Sequence, residues 1–342
     1  MFTLTLTAAE RADIGAVLDE IAGSHQTIED AELLAGAPVL AHRLPLRLRA
    51  FLDAYRMNEP EALCRISGLP VDPDGLGPTP GHWKDSQFNS PAFRQEIFFL
   101  LCASLLGDVF GWSTQQAGRI MHDVLPIRGH EYQEIGSNSL QHLSWHTEDA
   151  FHPCRGDYVA LMCLKNPDHV ETVVCASPDI RWSAIDVDAL FEPEFTIMPD
   201  NSHQPPADRP PSGDPEIDRL TARSFALIES WNKSPYQRPI LFGDVKDPYL
   251  ALDPYHMRTD GWGERYASAF RQLCDEIEAG LAAVSLEPGD CLFIDNFRAV
   301  HGRKSFRPRY DGSDRWLKRL NITRNLRGSR AWRLAAGDRI IY

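Results

Sequence analysis

The chain lacks the features of several protein classes. It has no run of 18 apolar residues and no basic N-terminal segment followed by an apolar one, so we expect neither a membrane helix nor a signal peptide. Basic residues are too few for a nucleic-acid partner, since 35 Lys and Arg face 48 Asp and Glu. The resulting net charge of −13 modestly favours a cationic substrate instead.

Paired cysteines are also missing. The seven cysteines are scattered, form no CxxC pair and are odd in number. These features favour reduced thiols over a disulfide framework, and we expect a cytoplasmic protein.

The most informative feature is His146-Thr-Glu148 together with a distant His301 in Val-His-Gly-Arg. Two imidazoles and one carboxylate can occupy one face of Fe(II) and leave three positions open for a co-substrate and O₂. Residues i and i+2 of a strand point to the same side. We therefore predict that His146 and Glu148 reach one metal from a single strand, and that His301 arrives from another.

A second triplet, His169-Val-Glu171, competes with the first. With 12 His and 48 acidic residues, such a triplet is expected by chance, and an isolated one is more often a surface or hydrogen-bonded core histidine. Spacing alone does not choose between the two triplets.

The segment after His301 contains a turn at Tyr310-Asp311-Gly312, followed by strict alternation. Arg315 and Arg319 fall on one face of the predicted strand. Arginine matches a carboxylate bidentately, so the two residues are candidate anion anchors. The alternative is a solvated basic strand with ion pairs to Asp311 and Asp314.

Three long motifs carry a family resemblance: WHTEDAFHPCRGDYVALMCLKNPDHVET, FIDNFRAVHGRKSFRPRYDGSDRWLKR and GDVFGWSTQQAGRIMHDVLPIRG. They resemble the clavaminate-synthase-like Fe(II)/2-oxoglutarate oxygenases, in the branch that hydroxylates free arginine or enduracididine in antibiotic biosynthesis. The likeness extends over nearly the whole chain.

The resemblance implies roles for single residues. It makes His146, Glu148 and His301 the iron ligands, and it assigns 2-oxoglutarate to Arg315 and Thr172. O₂ would be the second co-substrate.

For the amino-acid substrate, the resemblance implies that Arg319 binds the α-carboxylate and that Gln115 and Glu148 hold the α-amino group. Asp200 and Ser202 match a loop that closes over the substrate.

Asp253 matches an aspartate that grips the guanidinium of arginine, although an Asp-Pro pair can equally open a turn. Some relatives carry a second acid two positions later, where this chain has Tyr255. We expect looser discrimination among cationic side chains, and a guanidine ring could stack on that tyrosine.

The predicted fold is one α+β domain over residues 1–342, with a distorted double-stranded β-helix, the cupin-like jelly roll, at its core. A helical N-terminal portion, about residues 1–110, would pack on this core. The proline-rich stretch 200–215 has no periodicity, and we interpret it as an active-site lid rather than a plain linker.

The sequence therefore predicts a hydroxylase of a free cationic amino acid, with C3 of L-arginine as the leading target and L-enduracididine or another arginine-derived amino acid as the alternative. A non-redox cupin-like metal-binding protein, or a protein without a metal, is the competing class. The oligomeric state stays open.

Overall fold

The computed structural model describes residues 1–86, 90–205 and 211–342, and these form a mixed α+β fold. Its α-helices are α1 (Ala8–Ser24), α2 (Ala31–Leu40), α3 (Leu46–Asn58), α4 (Phe93–Leu106), α5 (Val187–Leu190), α6 (Pro215–Lys233) and α7 (Glu264–Gly280). Its strands are β1 (Phe2–Thr5), β2 (Leu63–Ser67), β3 (Asp108–Trp112), β4 (His122–Val124), β5 (Leu143–His146), β6 (Tyr158–Lys165), β7 (Thr172–Ala176), β8 (Phe195–Thr196), β9 (Gln237–Arg238), β10 (Leu241–Asp244), β11 (Asp247–Leu250), β12 (Ala282–Val284), β13 (Cys291–Asp295), β14 (Ala299–Arg303), β15 (Trp316–Thr323) and β16 (Ile340–Ile341). Among the described residues, no helix is both long and apolar enough to cross a bilayer.

Helix α1 shows why the N-terminal region is helical. Thr7 accepts from the backbone N–H of Glu10 at 3.2 Å, and the Glu10 carboxylate accepts from the backbone N–H of Thr7 at 2.8 Å. This reciprocal cap satisfies two donors that a helix start leaves unpaired. The apolar stripe that includes Ile14 and Leu18 is buried against α4, which lies in the same core.

The larger sheet has the order β1-β2-β13-β6-β15-β3-β16, and β4 also pairs with β15. Its central strand β6 alternates between two cores. Ala160 and Met162 face helices α1 to α4, whereas Val159 and Leu161 face a second sheet. Leu317 of β15 also faces the second sheet. Because side chains alternate along a strand, Arg319, two residues later, points to the same side.

The second sheet has the order β12-β7-β14-β5. Val174 and Ala299 point inward to the larger sheet, while Cys175 and Val300 pack outward in the core that contains α7. His301 therefore points inward, because it has the same parity as Ala299. The space between the two sheets is where the candidate site lies.

Two parts of the chain differ from the sequence prediction. Residues 1–110 contain α1 to α4, but they also supply β1, β2 and β3 to the larger sheet, so helices and sheet are interwoven in this region. After the proline-rich stretch, the 19-residue helix α6 begins at Pro215 with Asp214 as its cap. Part of the predicted lid, residues 206–210, lies outside the described residues.

Candidate functional site

His146, Glu148 and His301 converge between the two sheets. Glu148 Oε2 lies 3.4 Å from His301 Nε2 and 3.7 Å from His146 Nε2. One ligand atom from each residue lies within 4.8 Å of the others, and all three side chains are largely buried. This donor set, two imidazoles and one carboxylate, fits a divalent iron ion with open coordination positions.

The close approach of β5 and β14 positions the histidines. His146 and His301 are directly paired in the antiparallel register, with ring centroids 4.8 Å apart. Gly302 is required next to His301, because a Cβ at this position would lie 2.6 Å from the carbonyl oxygen of Leu143. A larger residue would push the two strands apart, and the histidines with them.

Glu148 reaches the cluster differently from the prediction. Strand β5 ends at His146, so Glu148 lies in the turn that follows the strand. Its backbone N–H donates to Asn296 Oδ1 at 2.6 Å, and Asn296 Nδ2 donates back to the Glu148 carbonyl at 3.0 Å. The fully buried Asn296 thus fixes the carboxylate's backbone, a role that the sequence analysis missed.

Hydrogen bonds and charges prepare these side chains for a metal. His146 Nδ1 lies 2.8 Å from the Ser144 carbonyl, and donation there leaves the Nε2 lone pair directed at the cluster. Burial opposes ionisation of Glu148, but Arg319, His146 and His301 hold its pKa well below the usual range. Burial also disfavours the His146 cation, yet Glu148 and Asp253 raise the pKa of His146 to about 10. A bound dication would replace this proton.

The competing triplet lies elsewhere. His169 is exposed, and its Nδ1 is 3.1 Å from a Glu287 carboxylate oxygen. Glu171 pairs with Lys304 at the surface. Neither residue lines the cavity, so the structure brings together the first triplet and not the second.

The three side chains line a cleft between the two sheets. One end of the cleft contains Thr172, the first residue of β7, and Arg315, which directly precedes β15 of the facing sheet. Arg315 is 6% exposed, and within the described ranges its guanidinium pairs with no carboxylate. Burial lowers the pKa of Arg315 to about 10, so the side chain stays cationic at neutral pH. The alternative of ion pairs with Asp311 or Asp314 is wrong.

The opposite end contains the predicted substrate residues, which form one network. Arg319 donates to Glu148 Oε1 and, at 2.9 Å, to Gln115 Oε1. Gln115 Nε2 donates to Ser202 Oγ at 2.6 Å, and the Ser202 backbone N–H donates to Asp200 Oδ1 at 2.8 Å. Arg319, Gln115, Ser202 and Asp200 are therefore linked by internal hydrogen bonds, although Arg319 Nε is buried without a partner among the described residues.

Behind this network stands a second group of acidic and histidine side chains. His203 Nε2 lies 2.9 Å from Asp149 Oδ1, and Trp112 donates to Asp149 Oδ2 at 2.6 Å. These three residues are buried, and His203 also contacts Thr114 Oγ1 at 2.6 Å and Gln115 Nε2 at 3.0 Å, which joins the group to the network above. The group supports the segment that carries Ser202.

Asp253 also lines the cleft and is 7% exposed. Its partner is His256, whose Nδ1 lies 2.9 Å from Asp253 Oδ2. Tyr255 is 53% exposed and is not among the residues that line the cleft. The expected stacking of a substrate ring on Tyr255 is therefore wrong. The turn directs the Tyr255 side chain outward, whereas the next residue, His256, lines the cleft.

Comparisons with known proteins agree with this geometry. A profile of the family "Taurine catabolism dioxygenase TauD, TfdA family" matches residues 198–321. An L-ornithine/L-arginine 3-hydroxylase of Catenulispora acidiphila is 65% identical, with all of both chains covered, and an enduracididine beta-hydroxylase of Streptomyces hygroscopicus is 44% identical, again with both chains covered in full.

Among solved structures, the non-heme iron oxygenase OrfP in complex with Fe, succinate and (3S)-hydroxy-L-Arg matches with a TM-score of 0.92 at 39% identity, over 99% of each chain. Identity of 65% over the full length is far above what is needed to establish kinship. The chain therefore belongs to the TauD and clavaminate-synthase-like family of Fe(II)- and 2-oxoglutarate-dependent oxygenases.

Proposed function

We propose that the protein hydroxylates C3 of free L-arginine, and of L-ornithine, with Fe(II), 2-oxoglutarate and O₂. The observation that carries this proposal is one cleft with a two-histidine, one-carboxylate cluster between a buried aspartate and a buried arginine that pairs with no carboxylate among the described residues. The relative that is 65% identical bears the name of this activity.

In this proposal His146, Glu148 and His301 hold the iron. Bound Fe(II) would activate O₂, which is the oxidant. One oxygen atom would enter the amino acid as its hydroxyl group, and the other would enter the succinate that forms as 2-oxoglutarate loses CO₂. The chain's own contribution is an ionised Glu148, two imidazoles aimed at one point, and the backbone of Glu148 fixed by Asn296.

Arg315 would bind the distal carboxylate of 2-oxoglutarate, with Thr172 adding a hydroxyl group. A buried cation without a counter-ion is unfavourable, and a carboxylate that matches its planar fork relieves this cost. A non-redox cupin-like protein would have no use for such a cation, so Arg315 argues against that alternative.

Arg319, Gln115 and Glu148 would hold the α-carboxylate and the α-amino group of the substrate. Both groups are bonded to Cα, so fixing them beside the metal ligands leaves C3 as the nearest side-chain carbon. Asp253 would anchor the cationic end, and Asp200 and Ser202 would close over the substrate. β-Hydroxylation follows from anchoring both ends.

L-Enduracididine is the second candidate substrate, because a relative named for its β-hydroxylation is 44% identical over the whole chain. The outward-facing Tyr255 does not stack on the ring of L-enduracididine, so we rank L-arginine ahead of L-enduracididine as the substrate.

We also propose that the two facing sheets form a distorted double-stranded β-helix and that residues 1–342 act as one domain, with the segment around 200–215 as its lid.

Two measurements test the function. Anaerobic addition of Fe(II) and then 2-oxoglutarate should give the visible charge-transfer band of the chelate, which a protein without redox chemistry would not give. A panel of amino acids, read out by mass spectrometry and succinate release, should then show L-arginine and L-ornithine gaining one oxygen atom at C3. Faster turnover of asparagine or leucine than of every cationic amino acid would contradict the proposal.

A further inference from the structure

The imidazole of His256 lies beside Asp253 at the far end of the cleft. Its Nδ1 is 2.9 Å from Asp253 Oδ2, and its backbone N–H donates to Asp253 Oδ1 at 3.3 Å. Both residues line the cleft that contains the metal cluster. His256 thus contacts each oxygen of the carboxylate that is proposed to bind the substrate.

The second ring nitrogen of His256, Nε2, differs from Nδ1 in its surroundings. His256 Nε2 is buried and has no hydrogen-bond partner within the described ranges, and the side chain is 10% exposed. When Nδ1 of a neutral ring donates to a carboxylate, Nε2 keeps its lone pair and is an acceptor. Withdrawing an acceptor from water without giving it a donor is unfavourable, and a ligand that donates to it removes this cost.

We propose that His256 is a specificity-determining residue, whose Nε2 accepts a hydrogen bond from the distal cationic group of the amino acid while Asp253 supplies the opposite charge. This inference rests on the proposed function and names the group that reads the substrate side chain.

One carboxylate plus one neutral acceptor recognises a cation in a particular way. A guanidinium carries five N–H donors and an ammonium three, so either can donate to both Asp253 and His256. A ureido group, as in L-citrulline, has a carbonyl oxygen in place of one donor pair, and this oxygen would face an acceptor. The pair should therefore accept arginine and ornithine and reject their neutral analogue.

The ring must be neutral to act in this way. Charged and titratable groups around His256 are Asp253, Asp200 and His146. Burial favours the neutral ring, while the two carboxylates stabilise its cation and raise the pKa of His256. A cationic side chain that arrives next to the ring opposes a second positive charge there, so substrate binding favours loss of the ring proton.

Two substitutions separate the atoms of the ring. His256→Asn keeps a donor near the Nδ1 position, and so the bond to Asp253, but removes the Nε2 atom that is proposed to accept from the substrate. His256→Gln keeps a polar atom near the Nε2 position and loses the bond to Asp253. Tyr255→Ala, at the neighbouring exposed residue, is the matched control.

The assay measures L-arginine affinity on anaerobic enzyme loaded with Fe(II) and 2-oxoglutarate, and KM and kcat under air. We expect His256→Asn to weaken arginine binding and raise its KM about tenfold or more, with a smaller change in kcat. The ratio of arginine to citrulline turnover should fall with it. His256→Gln should retain more of this discrimination, and Tyr255→Ala should behave as the unsubstituted enzyme.

Wild-type arginine affinity in His256→Asn, combined with a defect in His256→Gln, would overturn the inference, because His256 would then only hold Asp253. The 2-oxoglutarate charge-transfer band and the melting temperature check that each variant is folded and loaded. Failure of the proposed function looks different: the unsubstituted enzyme would then turn over no cationic amino acid at all.

Discussion

The two ends of the cleft are built on opposite principles. At the end proposed for the co-substrate, Arg315 is buried and has no carboxylate partner among the residues that the structure describes. At the end proposed for the amino acid, Arg319 is already bonded to Glu148 and Gln115, and Asp253 is already bonded to His256. The first end therefore presents a guanidinium that can pair directly with an incoming carboxylate. At the second end, a ligand must replace hydrogen bonds that already exist within the protein.

This difference shows how one cleft can recognise two ligands in two different ways. An unpaired buried cation favours its anion strongly and with little rearrangement. Exchange of internal bonds makes binding at the other end depend on how well the ligand replaces each partner, which is the basis of discrimination. We therefore expect strict recognition of 2-oxoglutarate and more adaptable recognition of the amino acid.

Removing the metal ligands should abolish function at both ends together. His146→Ala, Glu148→Ala and His301→Ala should each eliminate Fe(II)-dependent turnover, because a three-ligand site has no spare protein ligand. His169→Ala is the matched control and should retain activity. Iron content and succinate release measure the outcome, and a dead His169 variant beside a live His146 variant would mean that the wrong triplet was chosen.

Asp253→Ala should break the amino-acid end alone. We expect kcat/KM for L-arginine to fall by about 10² or more, since a buried cation would lose its counter-ion. The position of hydroxylation should also become less uniform, because the far end of the substrate is no longer anchored. Product analysis by mass spectrometry and NMR checks this, and unchanged arginine kinetics would exclude Asp253 as the anchor.

Replacing each of the two arginines separately sharpens the comparison. Arg315→Leu should raise the KM for 2-oxoglutarate more than that for the amino acid, and Arg319→Leu should do the reverse. Each loss removes a charge-assisted pair, worth roughly 1.5–3 kcal/mol. Steady-state kinetics with each ligand varied in turn measures the split, and equal effects on both ligands would show that the arginines do not divide the task.

The smallest effect should appear in the stability of the ligand-free protein. Arg315→Met removes a buried charge that has no carboxylate partner in the part of the chain that the structure describes, so it should leave the free energy of unfolding unchanged or raise it by about 1 kcal/mol. Arg319→Met removes one of the cations beside the buried Glu148 carboxylate and should lower the free energy of unfolding by about 2 kcal/mol. Thermal unfolding without metal measures both, and a strongly destabilised Arg315→Met would mean that this cation has an internal partner.

Much of the site could be read from residue types and their order. His146, Glu148 and His301 were predicted from their chemistry and from long motifs, and the structure brings them together. The face shared by Arg315 and Arg319 followed from strand periodicity, since residues of equal parity point to the same side. The cap of α1 followed from Thr7 and Glu10 for an equally local reason.

What depended on distant parts of the chain could not be read in this way. Spacing alone does not distinguish His146 from His169, and the packing of the sheets shows the physical difference, since it buries the first and leaves the second exposed. Only the tertiary structure brings Asn296 to the Glu148 backbone, 148 residues away, and turns Tyr255 outward and His256 inward. The sequence by itself determined which chemistry was present; the tertiary structure decided which groups are withdrawn from water and left facing each other, since that depends on contacts between residues far apart in the chain.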